Sequence, residues 1–131
     1  MVGHHKLMKK IIVDTNAWMA IADFKIDLFA ALERDCDFPY KVCVLQEIID
    51  ELRKIVSEQR GRYRQAALLA IGIIEVRKVK VIPLSGADAD DLLVDHSKKG
   101  DLILTQDIDL KKRLKKPYLT IRQKKKIISV Q

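Results

Sequence analysis

Cysteine is scarce in this sequence, which has only Cys36 and Cys43 among 131 residues. Two cysteines cannot build a disulfide framework, and Cys43 alternates with Val42 and Val44 as a buried strand residue would. We therefore expect both thiols to be reduced, in a cytoplasmic protein. No apolar run is long enough to span a membrane, and residues 1–10 lack the apolar stretch of a secretory signal, so we expect no membrane partner.

Acidic residues are missing from the end of the chain, where none follows Asp109. The net charge is +7, and this last segment is rich in lysine and arginine. Such a basic segment favours nucleic acid, because phosphate contacts release counterions. An alternative is that these lysines serve solubility and protect sheet edges from aggregation. Aromatic residues make up only 5% of the chain, so we expect little base stacking, with Tyr63 as the candidate.

Short apolar runs alternate with helical patterns along the chain. Strands are predicted over 10–14, 41–44, 79–82, 101–105 and 118–121, with 127–130 as a sixth or tail strand. Helices are predicted over 45–57, 62–77, 88–98 and 107–116, with a further helical stretch between the first two strands. This alternation predicts an α/β fold with a mostly parallel sheet covered on both faces. The length suits a single domain over 1–131, with 1–9 expected to be flexible.

Carboxylates recur just beyond the predicted strands. They are Asp14 after the first strand, Glu47, Asp50 and Glu51 on the helix after the second, Asp88, Asp90 and Asp91 after the third, and Asp107 and Asp109 after the fourth. The carboxyl ends of parallel strands converge on one edge of a sheet, so acids from distant segments can meet in one pocket. Several carboxylates at one point repel each other, which makes a divalent cation their natural partner. The basic remainder of the chain then predicts a polyanionic substrate.

Each of these acids also has a structural explanation. Asp14 can cap the helix that follows it, and Glu47 lies where a helix dipole stabilises negative charge. Glu51 borders the apolar side of its helix, so it can either pair with solvent-facing cations or point at a pocket edge. Capping accounts for one aspartate at the start of each later helix. It does not account for the recurrence of acids after each strand.

Four motifs together make the chain similar to a known family. They are IIVDTN at 11–16, IIDELRKI at 48–55, ADDLLV at 89–94 and LILTQDIDLKKRL at 102–114. With these motifs the chain resembles the PIN domain family of metal-dependent ribonucleases, over nearly all of 10–130. Over a wider stretch it is similar to archaeal members related to small-subunit rRNA-processing endonucleases, and some of those archaeal relatives are labelled VapC-type toxins.

The resemblance implies a three-layer sandwich with a central, mostly parallel, five-stranded sheet of order 3-2-1-4-5. It implies the catalytic acids Asp14, Glu51, Asp90 and Asp107, a fifth acid at Asp109, and supporting polar residues at Asn16 and Thr105. Glu47 and Asp91 replace Glu51 and Asp90 if the motif register is off by a turn or a residue. It also implies a homodimer and leaves open whether the chain processes rRNA or acts as a toxin with an antitoxin protein as partner.

The hypothesis is a divalent-metal-dependent endoribonuclease in which Asp14, Asp90 and Asp107 bind Mg²⁺ or Mn²⁺. Asp109 and Glu51 would complete the site directly or through water. Oxygen ligands suit these ions better than zinc, and a metal that activates water removes the need for a nucleophilic side chain. The residues predicted to hold the RNA backbone are Arg60, Arg62, Lys111, Lys112, Arg113, Lys124 and Lys125. The alternative is a non-catalytic RNA-binding or assembly module in which the acids hold a structural ion.

Overall fold

The computed structural model describes residues 8–131, so most of the segment predicted to be flexible lies outside the described residues. The strands are β1 (Lys9–Val13), β2 (Tyr40–Leu45), β3 (Lys80–Ile82), β4 (Leu102–Leu104), β5 (Tyr118–Arg122) and β6 (Lys126–Val130). The helices are α1 (Thr15–Asp23), α2 (Leu28–Asp35), α3 (Gln46–Glu58), α4 (Gly61–Val76), α5 (Ala89–Lys98) and α6 (Ile108–Arg113). The first strand therefore begins at Lys9, one residue before the predicted start.

The six strands form one sheet in the order β3-β2-β1-β4-β5-β6. Neighbouring strands from β3 to β5 are parallel, which confirms the predicted order. The predicted number of five strands is wrong, because β6 adds to the edge antiparallel to β5. Gln123 and Lys124 both have positive φ between Arg122 and Lys126, and this backbone conformation reverses the chain into a hairpin.

Burial of the central strand shows that helices cover both faces of the sheet. Ile11, Ile12 and Val13 in β1 are all fully buried, as are Cys43 and Val44 in β2. Successive strand residues point to opposite faces, so consecutive burial requires packing on each side. The fold is thus the predicted three-layer α/β sandwich. Cys36 and Cys43 are both free thiols, as expected.

The helical stretch predicted between the first two strands is two helices. The break falls at Lys25, which adopts a positive φ of 54°. The amide of Ile26 then donates to the carbonyl of Ile21, which closes the last turn of α1. Asp27 caps the start of α2 by accepting from the amide of Ala30 at 3.1 Å. The chain therefore turns sharply here.

Strand register brings the ends of β1 and β4 together. Val13 pairs with Leu104, and the amide of Asp14 donates to the carbonyl of Leu104 at 2.9 Å. The residues that follow these two central strands consequently start from the same point on the carboxyl edge. A crevice opens at this position in parallel sheets, because the neighbouring crossovers run in opposite directions. Within residues 8–131, no helix is long and apolar enough to cross a membrane.

Candidate active site

A cleft of about 450 Å³ lies at the carboxyl edge of the sheet. Its walls include four acids from four separate parts of the chain: Asp14, Glu51, Asp90 and Asp107. The other lining residues are Thr15, Asn16, Met19, Ile55 and Tyr63. The structure therefore brings together the four acids that the sequence motifs singled out, over sequence separations of up to 93 residues, from Asp14 to Asp107.

Asp14 is the most constrained acid of the cleft. It follows β1 and caps α1, with Oδ1 accepting from the amide of Thr15 at 2.8 Å. Its Oδ2 accepts from the hydroxyl of Thr105 at 2.8 Å. The residue is only 6% exposed, so both oxygens have a fixed direction. Asp14 therefore has two roles at once, because it caps α1 and also presents a carboxylate to the cleft.

The electrostatics of the cleft are unfavourable for its carboxylates. Burial raises the pKa of Asp14 from 3.8 to about 6, against the hydrogen bonds from Thr105 and Thr15 that lower it. The charges of Asp90 and Glu51 raise this pKa further. Burial likewise raises the pKa of Asp90, as do the nearby Asp88 and Asp107. The charged forms of Asp14 and Asp90 are therefore less favourable in the cleft than in water, first because of burial and then because of neighbouring acids.

Glu51 reaches the cleft from α3. Its Oε2 accepts from the hydroxyl of Thr15 at 2.8 Å, which ties α3 to the first residue of α1. The alternative acid Glu47 faces elsewhere, because its Oε2 accepts from the amide of Ser85 at 2.9 Å. The alternative Asp91 forms an ion pair with Arg113 at 2.5 Å. The geometry thus favours Glu51 and Asp90 over the two alternatives.

The supporting residues Asn16 and Thr105 connect β1 to the segment after β4. Thr105 is fully buried, and its hydroxyl accepts from the amide of Asp107 at 3.0 Å while it donates to Asp14. Asn16 Oδ1 accepts from the amide of Gln106 at 3.0 Å. Asp107 caps α6 by accepting from the amide of Leu110 at 3.0 Å. These bonds set the position of Asp107 relative to Asp14.

Sequence reasoning gave no role to Gln106, which links this segment to β5. Its Oε1 accepts from the hydroxyl of Thr120 at 2.8 Å and from the amide of Ile121 at 2.7 Å. Its Nε2 donates to the carbonyl of Ile121 at 3.1 Å. The side-chain amide thus replaces a strand residue where the paired register of β4 and β5 ends at Leu104. The only sequence signal was a polar residue directly after the predicted strand at 101–105.

Asp109 is not brought into the cleft. Its side chain is 96% exposed, and its nearest cation is Lys112 Nζ at 4.0 Å. Asp107 and Asp109 are two positions apart at the start of α6, and residues at this spacing do not share a helix face. The geometry therefore gives no support to the predicted metal ligation by Asp109.

Several of the basic residues predicted to contact RNA have intramolecular partners. Arg62 forms a two-point ion pair with Asp23, and Arg113 pairs with Asp91. Lys124 lies over the ring of Phe24 at 5.2 Å from its centroid. Burial and the charge of Arg122 lower the pKa of Lys111, while the charge of Asp107 raises it. The interaction with Asp107 indicates that Lys111 lies near the cleft. Arg60, Lys112 and Lys125 are exposed.

The donor set of the cleft fits a hard divalent cation in chemistry. All four acids offer carboxylate oxygens, which Mg²⁺ and Mn²⁺ prefer. Burial and neighbouring negative charge raise the pKa of Asp14 and Asp90, and a bound cation would offset both effects. As placed, the side chains of residues 8–131 nevertheless form no close group of three or more metal-ligating residues. Coordination therefore requires rotation of the more exposed side chains toward the fixed carboxylate of Asp14.

Comparisons with known proteins agree with this geometry. The family model described as "PIN like domain" matches residues 11–124. A solved structure described as the PIN domain endonuclease Utp24 is 28% identical, with a TM-score of 0.73, covering 92% of this chain and 90% of that chain. A domain of a functionally unknown protein from Methanocaldococcus jannaschii is 17% identical, with a TM-score of 0.50, and covers 78% of this chain and 81% of that chain. The search of curated proteins found no match.

The raised pKa of Asp14 predicts a pH-dependent effect of Asp14→Asn on stability. Below pH 3.8 the carboxyl is protonated in both states, whereas above about pH 6 folding must bury a charge. The wild type therefore loses stability relative to the variant as pH rises through this window, by on the order of 3 kcal/mol. Urea unfolding with a chelator present, from pH 4 to pH 8, measures the difference. A difference in stability that does not change with pH would contradict the raised pKa of Asp14.

Gln106→Ala should destabilise the fold by about 3 kcal/mol, because it leaves the backbone of Ile121 and the hydroxyl of Thr120 without their partner. Equilibrium unfolding in urea measures the change. Gln65→Ala on the exposed side of α4 is the control and should change stability by less than about 0.5 kcal/mol. Equal effects of the two substitutions would show that the Gln106 bridge contributes nothing.

Proposed function

Because the chain belongs to the PIN-like domain family, we propose that it is an endoribonuclease that depends on Mg²⁺ or Mn²⁺. One observation carries the proposal: four acids from four separate elements line one cleft at the carboxyl edge of the sheet. Burial, with a smaller contribution from neighbouring acids, raises the pKa of Asp14 and Asp90, and a bound cation would favour their charged forms. The described endonuclease with a TM-score of 0.73 supports cleavage rather than binding alone.

In the proposed site, Asp14, Asp90 and Asp107 hold the cation, and Glu51 completes the acid set. A bound divalent cation would supply charge neutralisation at the phosphodiester and lower the pKa of water. Asp14 has one hydrogen bond on each oxygen, so it presents its remaining lone pairs in a fixed direction. Fixed ligands reduce the reorganisation needed when the substrate arrives.

Residues behind the acids position them. The hydroxyl of Thr15 on α1 donates to Glu51 on α3, and the hydroxyl of Thr105 after β4 donates to Asp14 after β1. Each of these two carboxylates is therefore held by a hydroxyl from a different part of the chain. Asn16 holds the segment that carries Asp107 through the amide of Gln106. Partners of this kind orient metal ligands, and their loss commonly costs 10- to 100-fold in metal affinity or activity.

The proposed substrate is RNA, supported by the net charge of +7 and by basic residues beside the acids. Lys111 lies close enough to Asp107 for their charges to interact, so it can contact a phosphate next to the cleft. A role in rRNA processing and a role as a toxin-type ribonuclease both use this reaction. A second copy of the chain and an antitoxin protein stay predictions as partners.

Cleavage of labelled RNA tests the proposal. The wild type should cut RNA with Mn²⁺ or Mg²⁺ and should stop when a chelator is added. Asp14→Asn and Glu51→Gln should each lower the cleavage rate by on the order of 100-fold or more, because each removes a charged ligand from the site. Far-ultraviolet circular dichroism should show that both variants remain folded.

Asp50→Asn is the matched control for Glu51→Gln. Asp50 lies beside Glu51 on α3 but does not line the cleft, and its carboxylate accepts from the side-chain amide of Gln46 at 2.9 Å. It removes the same charge from the same helix, so cleavage should be unchanged. Binding of RNA that stays intact with either metal would contradict the nuclease proposal and support the non-catalytic RNA-binding module instead.

A further inference from the structure

A second cavity, of about 320 Å³, adjoins the acid cleft. Its lining residues are Met19, Ala20, Asp23, Arg62, Tyr63 and Ala66. Met19 and Tyr63 also line the acid cleft, so the two spaces share a wall. The shared wall places the second cavity directly beside the position proposed for the scissile phosphodiester. We call this second cavity the side pocket.

The side pocket lies between two helices that pack on each other. Residues 19, 20 and 23 come from α1, and residues 62, 63 and 66 come from the first turns of α4. The guanidinium of Arg64 donates to the carbonyl of Val56, which fixes the start of α4 against the end of α3. The walls are therefore part of the packed helical layer.

The side pocket combines an aromatic ring with an ion pair. Tyr63 is 66% exposed, which is unusual for a large aromatic side chain and excludes a role in the core. Met19, Ala20 and Ala66 supply apolar surface, and small alanine side chains leave room beside the ring. Arg62, which also lines the pocket, donates to Asp23 through Nε and Nη2, so Nη1 faces away from that carboxylate. The pocket thus offers a flat apolar face next to polar donors.

We propose that the side pocket receives one unstacked nucleobase of single-stranded RNA, the one next to the bond that is cut. This inference rests on the proposed function, because it takes the acid cleft as the place of cleavage. Every base has a π-face that can stack on an aromatic ring, and such stacking is largely independent of sequence. Arg62 and Asp23 lie where a base edge or its neighbouring phosphate can meet them.

A nucleobase fits the side pocket better than a phosphate alone does. The carboxylate of Asp23 faces Arg62 and neutralises it, so the pocket has no uncompensated positive charge among its lining residues. A phosphate would also gain nothing from Tyr63, Met19 or the alanines. A planar aromatic ligand uses both the exposed ring and the apolar walls.

The test measures RNA binding in the Asp14→Asn background, in which the RNA stays uncut. Tyr63→Ala should weaken binding of a short single-stranded RNA by roughly 5- to 150-fold, the equivalent of one stacked base. Tyr63→Phe keeps the ring and should bind like the parent. Leu68→Ala removes another exposed apolar side chain from the same helix, outside both cavities, and should also leave binding unchanged.

RNAs with one abasic nucleotide at successive positions locate the base. At one position the abasic RNA should bind the parent as weakly as intact RNA binds Tyr63→Ala. The two changes combined should then cause no further loss, because both remove the same contact. Full additivity at every position would overturn the proposal, as would equal losses for Tyr63→Phe and Tyr63→Ala.

Failure of this inference can be told apart from failure of the proposed function. If Tyr63→Ala binds RNA like the parent and the wild type still cleaves RNA with metal, the base-binding role of the side pocket is contradicted and the proposed nuclease function is not. If the wild type does not cleave RNA but the Tyr63→Ala and abasic effects on binding are observed, the nuclease function is contradicted and the base-binding pocket is supported.

Discussion

One buried carboxylate joins the parts of this structure that matter most. Asp14 takes a hydrogen bond from the first amide of α1 and another from Thr105 at the end of β4. Its own amide donates to the carbonyl of Leu104, so backbone and side chain both connect β1 to β4. Because these are the central strands of the sheet, every other wall of the cleft is placed relative to this residue.

The arrangement has an electrostatic cost that the rest of the fold must offset. A carboxyl with a pKa of about 6 is charged near neutral pH only against its own burial and the repulsion of Asp90 and Glu51. Hydrogen bonds from Thr105 and Thr15 lower that cost without removing it. Carboxyl groups with raised pKa values are common at sites that bind ligands, and a cation bound there would attract the carboxylates that otherwise repel each other.

The acid cleft and the side pocket also show how one pair of helices can serve two ends of a substrate. Helix α1 presents Asn16 to the acids and, one turn later, Met19 to the wall that both spaces share. Helix α4 contributes Tyr63 to the same wall and Arg62 beyond it. An extended strand of RNA that follows these surfaces would pass the carboxylates and the aromatic ring in succession.

The helices, the strands and the acids that follow the strands could be predicted from the sequence, because they depend on local residue patterns. Apolar runs and helix caps predicted the elements, and the carboxyl-edge rule then predicted that the acids after the strands would converge. The resemblance to the PIN domain family selected Asp14, Asp90 and Asp107 among them. The sixth strand was left open, because its pairing depends on positive φ at Gln123 and Lys124, residues whose type does not demand it.

Local pattern determined the order of the elements and the acids that follow the strands, since both follow from periodicity and chain direction. The family motifs singled out the four acids that share the cleft, whereas only the tertiary structure placed Asp109 outside it and turned Glu47 and Asp91 to other partners. The resemblance grouped Asp109 with the metal ligands, but its side chain is 96% exposed, as the two-residue spacing from Asp107 on α6 also implies. The Gln106 bridge and the side pocket likewise depend on contacts between residues far apart in the chain, and no local propensity encodes such contacts.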